Sequence, residues 1–397
     1  MREKSGTFSC GDYHLSTAAE KKKIVHIAKV TGIHGMENHL LTLLPRLNSP
    51  AYEINFLILT DPRHPVDDYC ALLAQRGVIT HTNTIRHDID PACFVRLVQY
   101  LRGARPALVH THLMHGDTYG IPAAKLAGIP CIISSKHNDD AFRQYGFLRL
   151  VNYALNRNIT RAITISEWIR TFTHTVERVP LDMLQTIYYG IEPPQPATER
   201  AFVRTKLGIG RDEIVLGIIA RLVAQKGHRY LLEAFTKALQ QNQNLRLLIV
   251  GSGELENDLK ARVQKSGLEK AVLFTGYRSD TADLLNAIDI FIHPSLWEGF
   301  GLSVLEAMAM GKPVIATRVS ALPELIEDTV SGFLVEPKDP DALAAMITLL
   351  AGSLVLQKQI GEQARQRCRK QFSVERMVEA TRELYGDVLA SSSGRPS

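Results

Sequence analysis

The sequence predicts an α/β protein built from two Rossmann-like, doubly wound domains that face a central cleft. A chain of 397 residues is too long for one ordinary hydrophobic core and suggests two domains of somewhat under about 200 residues each. Short apolar runs alternate with helical segments through both halves, as they do in βαβ units. These runs are nearly continuous in Val, Ile and Leu, which indicates parallel strands that are covered on both faces.

The apolar runs define the predicted strands. In the first half they are "KIVHIAKV" (23–30), "EINFLIL" (53–59), "ALVHTH" (107–112), "PCIISSKH" (130–137) and "AITIS" (162–166). In the second half they are "IVLGIIA" (214–220), "LRLLIVG" (245–251), "VLFTG" (272–276), "IFIHPS", "PVIAT" (313–317) and "FLV" (333–335). A stretch interrupted by Pro and Gly, "YYGIEPPQPATERAFVRTKLGIGRDE", separates the two series and predicts a linker.

These patterns divide the chain into two domains with mobile ends. The predicted units are a flexible segment 1–20, a first domain 21–195, a second domain 196–372, a C-terminal helix 373–390 and a flexible tail 391–397. The last helix begins after Ser373 and is amphipathic.

Composition narrows the class of protein. Five scattered cysteines without a C-x-x-C pair suggest neither a disulfide framework nor a zinc site, so a reducing cytoplasm is predicted. The first twenty residues lack the apolar stretch of a secretory signal, and no run of eighteen apolar residues occurs. The net charge of +5 is too small for a nucleic-acid-binding stripe but favours phosphate-bearing partners. A cytoplasmic protein, soluble or peripheral at the membrane, is expected.

The stretch "HPSLWEGFGLSVLEAMAMGKPVIATRV" places Glu298 before a predicted helix and Glu306 about one turn inside it. The N-terminus of such a helix attracts anions, so two carboxylates there suit a ligand that also offers neutral hydroxyls. A nucleotide sugar has both parts. The alternative is that both glutamates merely offset the helix dipole, worth under about 1 kcal/mol each.

A second strand end of the same half carries two cations. Arg221 and Lys226 follow the run "IVLGIIA" and could bind a diphosphate, although solvated loop charges are the alternative. A third strand end, "GSGELE", has Gly251 and Gly253, which allow close backbone approach or form a plain turn.

The second half resembles the nucleotide-sugar domain of the retaining GT-B glycosyltransferases of glycosyltransferase family 4. The matching words are "ARLVAQKG", "LLIVGSGE", "VLFTGYRSD", "ADLLNAIDIFIHPSLWEGFGLSVLEAMAMGKPVIAT" and "SGFLVEP", which together cover nearly all of residues 200–372. The two glutamates separated by seven residues, with Gly-Phe-Gly among the seven, are specific to that group. Shorter matches in the first half are "VHTH", "KHND", "SE" at 166–167 and "IYYGIE".

The resemblance implies roles for individual residues. It implies that Arg221 and Lys226 hold the donor diphosphate, that Glu298 contacts the transferred sugar, and that His137 reaches that sugar from the first domain. These four are the implied catalytic residues. The implied substrate-binding residues are Gly35, Gly253, Arg278 near the base, Gly299, Phe300, Gly301, Leu302, and Glu306 on the ribose. It also implies that the first domain binds the acceptor and that the last helix returns to it.

The same resemblance implies the reaction. A sugar would move from a nucleoside-diphosphate donor, UDP- or GDP-linked, to an acceptor hydroxyl of a glycan or lipid-linked saccharide, with retention and without metal or other cofactor. Positive charge at Arg221, Lys226 and the helix N-terminus fits a departing diphosphate. One departure is His34, which stands where the family's first loop usually has a glycine before Gly35.

Histidines in the first half admit two readings. His110 and His112 share one face of a strand and His115 follows, which could form a metal site, but no carboxylate or cysteine supports it, so acceptor binding is favoured. His137 alone could be a satisfied histidine at the end of a buried strand. The next residues, "KHNDD", place Lys136, Asp139 and Asp140 at the cleft rim, where an aspartate could touch the acceptor or cap a loop.

Residues 141–161 form a basic, aromatic-rich segment that could rest on anionic lipid. The alternative is an ordinary helix with its arginines in solvent. Two other functions also remain open at this stage: a nucleotide-sugar isomerase or epimerase in the same cleft, and a sugar-nucleotide binding protein without catalysis. Nothing in the sequence identifies the donor sugar, the acceptor or the oligomeric state.

Overall fold

Two parallel sheets organise the chain, and the computed structural model describes residues 21–87, 89–139 and 146–393. The first sheet has the order β3-β2-β1-β4-β5-β6-β7 and the second has the order β10-β9-β8-β11-β12-β13. The first-sheet strands are β1 Lys22–Val30, β2 Tyr52–Thr60, β3 Ile79–Thr84, β4 Leu108–His112, β5 Cys131–Lys136, β6 Arg161–Thr164 and β7 Leu184–Thr186. The second-sheet strands are β8 Ile214–Ile219, β9 Leu245–Val250, β10 Val272–Gly276, β11 Ile290–His293, β12 Val314–Thr317 and β13 Phe333–Val335.

Helices connect the strands in both halves. In the first half they are α1 Gly35–Leu47, α2 Asp67–Gln75, α3 Pro91–Ala104, α4 Leu113–Leu126, α5 Gly146–Asn156 and α6 Glu167–Thr175. In the second half they are α7 Arg200–Lys206, α8 His228–Gln241, α9 Glu256–Lys265, α10 Thr281–Ala287, α11 Leu302–Ala309, α12 Leu322–Leu325, α13 Pro340–Ala351 and α14 Leu354–Gln371. The chain's last helix is α15 Val374–Ser393. The predicted pair of Rossmann-like sheets is confirmed.

Each sheet reverses its strand order once. In the first sheet β1 pairs with both β2 and β4, and in the second β8 pairs with both β9 and β11, all in parallel. The loops that leave the carboxyl ends of such neighbouring strands diverge to opposite faces and open a crevice, which is where ligands of open α/β sheets bind. The fold therefore points to the ends of β1 and β4 in one domain, and of β8 and β11 in the other.

Each sheet is buried by apolar side chains on both faces. In the first sheet, residues of β1 alternate between two core clusters, with Ile24 and Ala28 in one and Val25 and Ile27 in the other. This arrangement explains the continuous apolar runs, because neither face of a central strand meets water.

The last helix crosses back to the first domain. Ile191 N–H donates to the Phe372 carbonyl at 2.9 Å just before the helix begins. Met377, Leu384 and Tyr385 then pack in the same core cluster as Ile24. The return of this helix, which the resemblance implies, is thus visible in the packing of its apolar face.

Within residues 21–87, 89–139 and 146–393, no single helix combines the length and apolarity needed to cross a bilayer. One consecutive pair, α13 and α14, meets the requirement jointly but bends by 105° at its break.

Candidate active site

A cavity of about 1120 Å³ lies between the two domains, at the strand ends where both sheets reverse their order. It brings together most of the residues predicted from the sequence. From the first domain its wall includes Gly35 and His137, and from the second it includes Arg221, Lys226, Glu298, Gly299, Phe300, Gly301 and Leu302. The cavity is large enough for a nucleotide sugar, since ligand pockets typically span about 300–1,000 Å³.

Lys226 and Glu298 form an ion pair on the second-domain wall. Lys226 Nζ donates to Glu298 Oε2, and each side chain is only 12% exposed. Backbone contacts hold their two loops together: the Leu296 N–H donates to the Gln225 carbonyl at 2.7 Å. Gly227 has a φ of 68°, and a Cβ there would lie 2.0 Å from the Pro294 carbonyl oxygen, so only glycine permits this approach.

Two neutral groups complete the environment of Glu298. His293 Nε2 lies 2.9 Å from Glu298 Oε2, and Ser295 Oγ lies 3.4 Å from the same oxygen. Since a carboxylate only accepts, the His293 proton sits on Nε2. Burial would raise the pKa of Glu298, but the Lys226 ammonium and the His293 hydrogen bond outweigh it and hold that pKa at about 2. Glu298 is therefore ionised at any physiological pH.

Positive potential on the same wall comes from two further sources. Arg221 is exposed on the cavity wall, and its guanidinium has no ion-pair partner within the described part of the chain. The N-terminus of α11 opens onto the cavity through Gly301, whose φ of 99° turns the chain into the helix. Free amides at a helix start and an unpaired guanidinium form an anion site.

Three predicted binding residues lie away from the cavity wall. Glu306 sits on α11, where burial raises its pKa to about 7, and among the described residues its carboxylate has no hydrogen-bond or ion-pair partner. Arg278 is exposed and forms an ion pair with Asp280 at 2.5 Å. Gly253 packs on the backbone of Leu222, since a Cβ there would lie 2.5 Å from that carbonyl oxygen. None of these three is among the residues that line the cavity.

His137 faces the cavity from the first domain, but both of its ring nitrogens have partners inside the protein. Nδ1 lies 2.5 Å from the Tyr189 hydroxyl, and Nε2 lies 3.1 Å from His112 Nδ1. The side chain is 3% exposed. The backbone of His137 meets the other domain, because a Cβ on Gly299 would lie 2.8 Å from the His137 carbonyl oxygen.

The histidines of β4 belong to a wider buried cluster. His26, His110 and His112 have ring nitrogens within 4.8 Å of one another, a spacing that could surround a metal ion. Each of these nitrogens, however, already has a hydrogen-bond partner in the protein. The donor set therefore fits a hydrogen-bonded cluster better than a metal site. His115 lines the cavity separately.

The prediction that Lys136 lies at the cleft rim is wrong. Its side chain is 3% exposed and pairs with Asp117 at 2.8 Å and with Glu177 at 3.4 Å. Two carboxylates and the end of strand β5 make this burial possible. Asp139 does line the cavity, and it accepts a hydrogen bond from Trp168 Nε1 at 2.8 Å. Asp140 lies outside the described residues.

A carboxylate of the second domain joins the two domains beside the cavity. Glu324 on α12 accepts hydrogen bonds from the Glu167 and Trp168 backbone N–H groups, both at 2.8 Å. These amides are the first two of α6, so the contact combines hydrogen bonds with the favourable helix dipole. Sequence reasoning missed Glu324, and it missed His293, Ser295 and Tyr189.

Some of these omissions carry a recognisable signal. His293 and Ser295 lie at the end of β11 and just after it, where the strand-end rule directs attention. Tyr189 belongs to the word "IYYGIE" but follows no strand predicted from the sequence. Glu324 has no such signal, because its partners are backbone amides of the other domain.

Comparison with known proteins finds relatives for both halves of the chain. Residues 33–194 match the family described as Glycosyltransferase Family 4, and residues 199–367 match the one described as Glycosyl transferases group 1. The chain is 27% identical over 390 residues to the UDP-Gal:alpha-D-GlcNAc-diphosphoundecaprenol alpha-1,3-galactosyltransferase of Escherichia coli, covering 95% of this chain and 100% of that one. It is 31% identical over 249 residues to the N-acetyl-alpha-D-glucosaminyl L-malate synthase of Bacillus anthracis, covering 59% and 64%.

A solved structure shares the fold. Anabaena Alr3699/HepE in complex with UDP and glucose superposes with a TM-score of 0.81 at 22% identity, covering 92% of this chain and 100% of that chain. The two family matches together include every strand of both sheets except β1. The chain is a glycosyltransferase of the family 4 type, with its first half matching the family of that description and its second half matching the one described as Glycosyl transferases group 1.

Proposed function

We propose that this glycosyltransferase transfers a sugar from a UDP- or GDP-linked donor to a hydroxyl of a glycan or lipid-linked saccharide, with retention at the anomeric carbon. No metal and no cofactor besides the donor takes part in this proposal. One observation carries it: the buried Lys226–Glu298 pair stands beside Arg221 and the start of α11 on a single cavity wall.

The second-domain wall suits a sugar diphosphate. The diphosphate would lie between Arg221, Lys226 and the amides of Gly299 to Leu302, where positive potential is already in place before the ligand binds. The ionised Glu298 carboxylate would accept hydrogen bonds from sugar hydroxyls next to that diphosphate. The E. coli relative is named for UDP-Gal and the Anabaena structure holds UDP, which supports testing UDP first.

The proposed reaction breaks one bond and forms one. The bond between the anomeric carbon and the β-phosphate oxygen breaks, and the acceptor oxygen bonds to that carbon on the same face. The acceptor proton passes to the departing phosphate oxygen. Retaining glycosidases place two carboxylates about 5–5.5 Å apart across the anomeric carbon. Of the other carboxylates that line this cavity, Glu37 accepts a hydrogen bond from the His34 N–H and Asp139 accepts one from Trp168 Nε1, which supports attack on the front face without a carboxylate nucleophile.

The acceptor would enter along the first domain. The cavity wall there carries Asp139, Tyr189 and His137: a carboxylate and a hydroxyl can each take a further hydrogen bond, and His137 would contact a substrate by exchanging one of its present partners. The name of the E. coli relative includes a saccharide linked to diphosphoundecaprenol, which supports a lipid-linked acceptor for this chain as well.

Thermal unfolding with a panel of nucleoside diphosphates and their sugars tests the donor site. At a hundred times its Kd, a bound ligand adds about 2.7 kcal/mol to the free energy of unfolding. We expect a clear rise in Tm with UDP or GDP that Arg221→Ala reduces, while Arg229→Ala, an exposed arginine elsewhere, retains it. No rise with any nucleotide would contradict the donor site.

Product analysis then separates the enzyme classes. The proposed transferase releases nucleoside diphosphate faster when a saccharide acceptor is added. A nucleotide-sugar isomerase or epimerase would convert the donor without any acceptor. A binding protein without catalysis would give the rise in Tm and no product.

The segment 141–161 is proposed to rest on the inner face of the cytoplasmic membrane. Helix α5 exposes Leu150 by 63% and Tyr153 by 42%, and the exposed Arg149 and Arg157 flank them. Apolar and aromatic side chains among arginines suit the headgroup region of anionic lipid. Residues 141–145 of this segment lie outside the described chain.

Vesicle sedimentation tests this surface. We expect the protein to bind vesicles that contain anionic lipid, and the double variant Arg149→Glu, Arg157→Glu to be released. The matched control, Arg211→Glu with Arg229→Glu, makes the same charge change on the second domain and should leave binding intact. Equal loss in both variants would show attraction by net charge alone.

A further inference from the structure

A continuous chain of hydrogen-bonded rings runs through the first domain from the cavity to the last helix. His137 Nε2 lies 3.1 Å from His112 Nδ1, and His112 Nε2 lies 2.9 Å from His26 Nδ1. His26 Nε2 in turn lies 3.2 Å from the hydroxyl of Tyr385. Helix α15, which carries Tyr385, thus reaches the cavity through three histidines.

Both ends of the chain continue beyond these residues. At the cavity, His137 Nδ1 lies 2.5 Å from the Tyr189 hydroxyl. At the far end, the Tyr385 hydroxyl lies 2.6 Å from His110 Nδ1, whose Nε2 lies 2.7 Å from Ser135 Oγ. None of the seven side chains is more than 4% exposed, so water does not compete for these hydrogen bonds.

The hydrogens of such a chain cannot be placed independently. A neutral imidazole has one N–H and one accepting nitrogen, and a hydroxyl between two rings donates to one and accepts from the other. Every contact is therefore satisfied only when all hydrogens point in the same direction along the chain. Two such arrangements exist, and each fixes the tautomer of every ring, including that of His137.

A charged ring would break the order. It would present two N–H groups, one of which would face another donor. Burial lowers the pKa of His26 to about 3 and holds the pKa values of His110 and His112 well below the usual range. The other histidine rings beside these three lower their pKa values further.

We propose that Tyr385 is a positioning residue for the reaction: through His26 and His112 it holds the ring of His137 in one orientation and couples its tautomer to theirs at the acceptor side of the cavity. This inference rests on the proposed function, because it assumes that His137 contacts the substrates. The last helix then acts in the site although it contributes no side chain to the cavity wall.

The variant Tyr385→Phe removes only the hydroxyl and preserves the packing of the ring. The matched control is Tyr119→Phe, which removes a buried hydroxyl of the same domain that accepts from the Asp90 N–H at 2.7 Å outside this chain. Both variants should lose similar stability. A difference between them in the His137 ring signals therefore reports the loss of the hydrogen-bonded series of rings and not a general loss of stability.

Long-range ¹⁵N–¹H NMR of histidine-labelled protein reads the tautomers directly. His137 signals are assigned from their loss in His137→Asn. We expect neutral rings with strongly hydrogen-bonded N–H protons in the parent, changed His137 signals in Tyr385→Phe, and unchanged ones in Tyr119→Phe. Unchanged His137 signals in Tyr385→Phe would overturn the proposal, and so would Zn²⁺ that binds the parent protein and displaces these ring signals.

Turnover supplies the second readout. We expect kcat to fall by about fivefold or more in Tyr385→Phe, with the KM for the donor nearly unchanged, and to stay at the parent value in Tyr119→Phe. Equal losses in both variants would reduce Tyr385 to a packing residue. If the parent itself shows no turnover, the proposed function fails, while the NMR result still decides whether Tyr385 sets the His137 ring.

Discussion

The two walls of the cavity are both built at the ends of parallel strands, but they present different side chains. On the second-domain wall, the loops after β8 and β11 present Arg221 and the Lys226–Glu298 pair, all charged. On the first-domain wall, the end of β4 leads to rings that burial keeps neutral, such as His112 beside His137. The first-domain wall also carries the ionisable side chains of Lys29, Glu37 and Asp139, so the two walls differ in their buried groups, an ion pair on one and neutral rings behind the other.

The difference corresponds to the different needs of the two proposed ligands, a diphosphate and a neutral hydroxyl. A diphosphate needs positive charge that is held in place, and Glu298 is tolerated there only because Lys226 and His293 compensate it. A neutral acceptor hydroxyl needs directed hydrogen bonds, which neutral rings and hydroxyls supply. The predictions that follow test this contrast, starting with the largest expected effect.

Removing the charge of Glu298 should have the largest effect. Glu298→Gln leaves Lys226 without its buried partner and weakens the contact with sugar hydroxyls, so we expect turnover to fall by roughly a hundredfold or more. The Kd for nucleoside diphosphate should change by less than about threefold. The control Glu327→Gln alters an exposed carboxylate that pairs with Arg367 and should behave as the parent. Equal losses of turnover and nucleotide affinity would refute a sugar-facing role.

Removing the unpaired cation of Arg221 should weaken binding of the donor. Arg221→Ala should raise the Kd for nucleoside diphosphate by roughly tenfold or more, since a charge-assisted hydrogen bond contributes about 1.5–3 kcal/mol. Calorimetric titration of parent and variant measures the change. A variant with unchanged Kd and turnover would remove Arg221 from the charged wall.

Glu306 differs from Glu298 because its pKa is shifted by burial alone, without a cation beside it. Its folded pKa of about 7 lies above the usual 4.5, so its contribution to stability is complete below about pH 4.5 and is lost as pH rises through 7. Between pH 5 and pH 8 the parent should lose about 2 kcal/mol relative to Glu306→Gln, measured by chemical denaturation. Parallel pH profiles would contradict this.

Saturating UDP sharpens the same measurement. If the Glu306 carboxylate accepts the ribose hydroxyls, as the resemblance implies, the ligand should stabilise its ionised form and flatten the pH dependence. An unchanged pH profile of stability would place Glu306 outside the donor site, in agreement with its absence from the residues that line the cavity.

The smallest expected effect is that of a chelator. If charged side chains alone stabilise the departing diphosphate, turnover in excess EDTA should stay within about twofold of that with Mg²⁺ or Mn²⁺. Loss of activity in EDTA that a metal ion restores would place a cation on the charged wall and contradict the metal-free proposal.

The central strands could be predicted from sequence because burial on both faces leaves a simple pattern. The observed β1, β2 and β8 agree with the predicted runs to within a residue or so at each end. The edge strands β3, "ITHTNT", and β7, "LQT", were missed. β3 is mostly polar and β7 has one apolar residue among its three, so neither shows an apolar run, whereas the edge strands β10 and β13 of the other sheet do.

The candidate site was predictable where residues of one loop act together. The stretch Glu298 to Leu302 and the pair Arg221 and Lys226 reach one wall because they follow neighbouring strands. Local sequence could not show that Lys136 lies under the sheet end, because its partners Asp117 and Glu177 come from distant segments. The same reason hides the chain from His137 to Tyr385, whose residues span most of the polypeptide.

The crossing of α15 has a consequence for how the protein is made. The core of the first domain includes Met377, Leu384 and Tyr385, which leave the ribosome after the whole second domain. Chains usually complete an N-terminal domain while synthesis continues. Here the apolar groove of the first domain stays uncovered until the twenty residues of α15 have been synthesised. A chain that stops before Ser373 would lack part of both the core and the ring network, although its donor-binding loops would be complete.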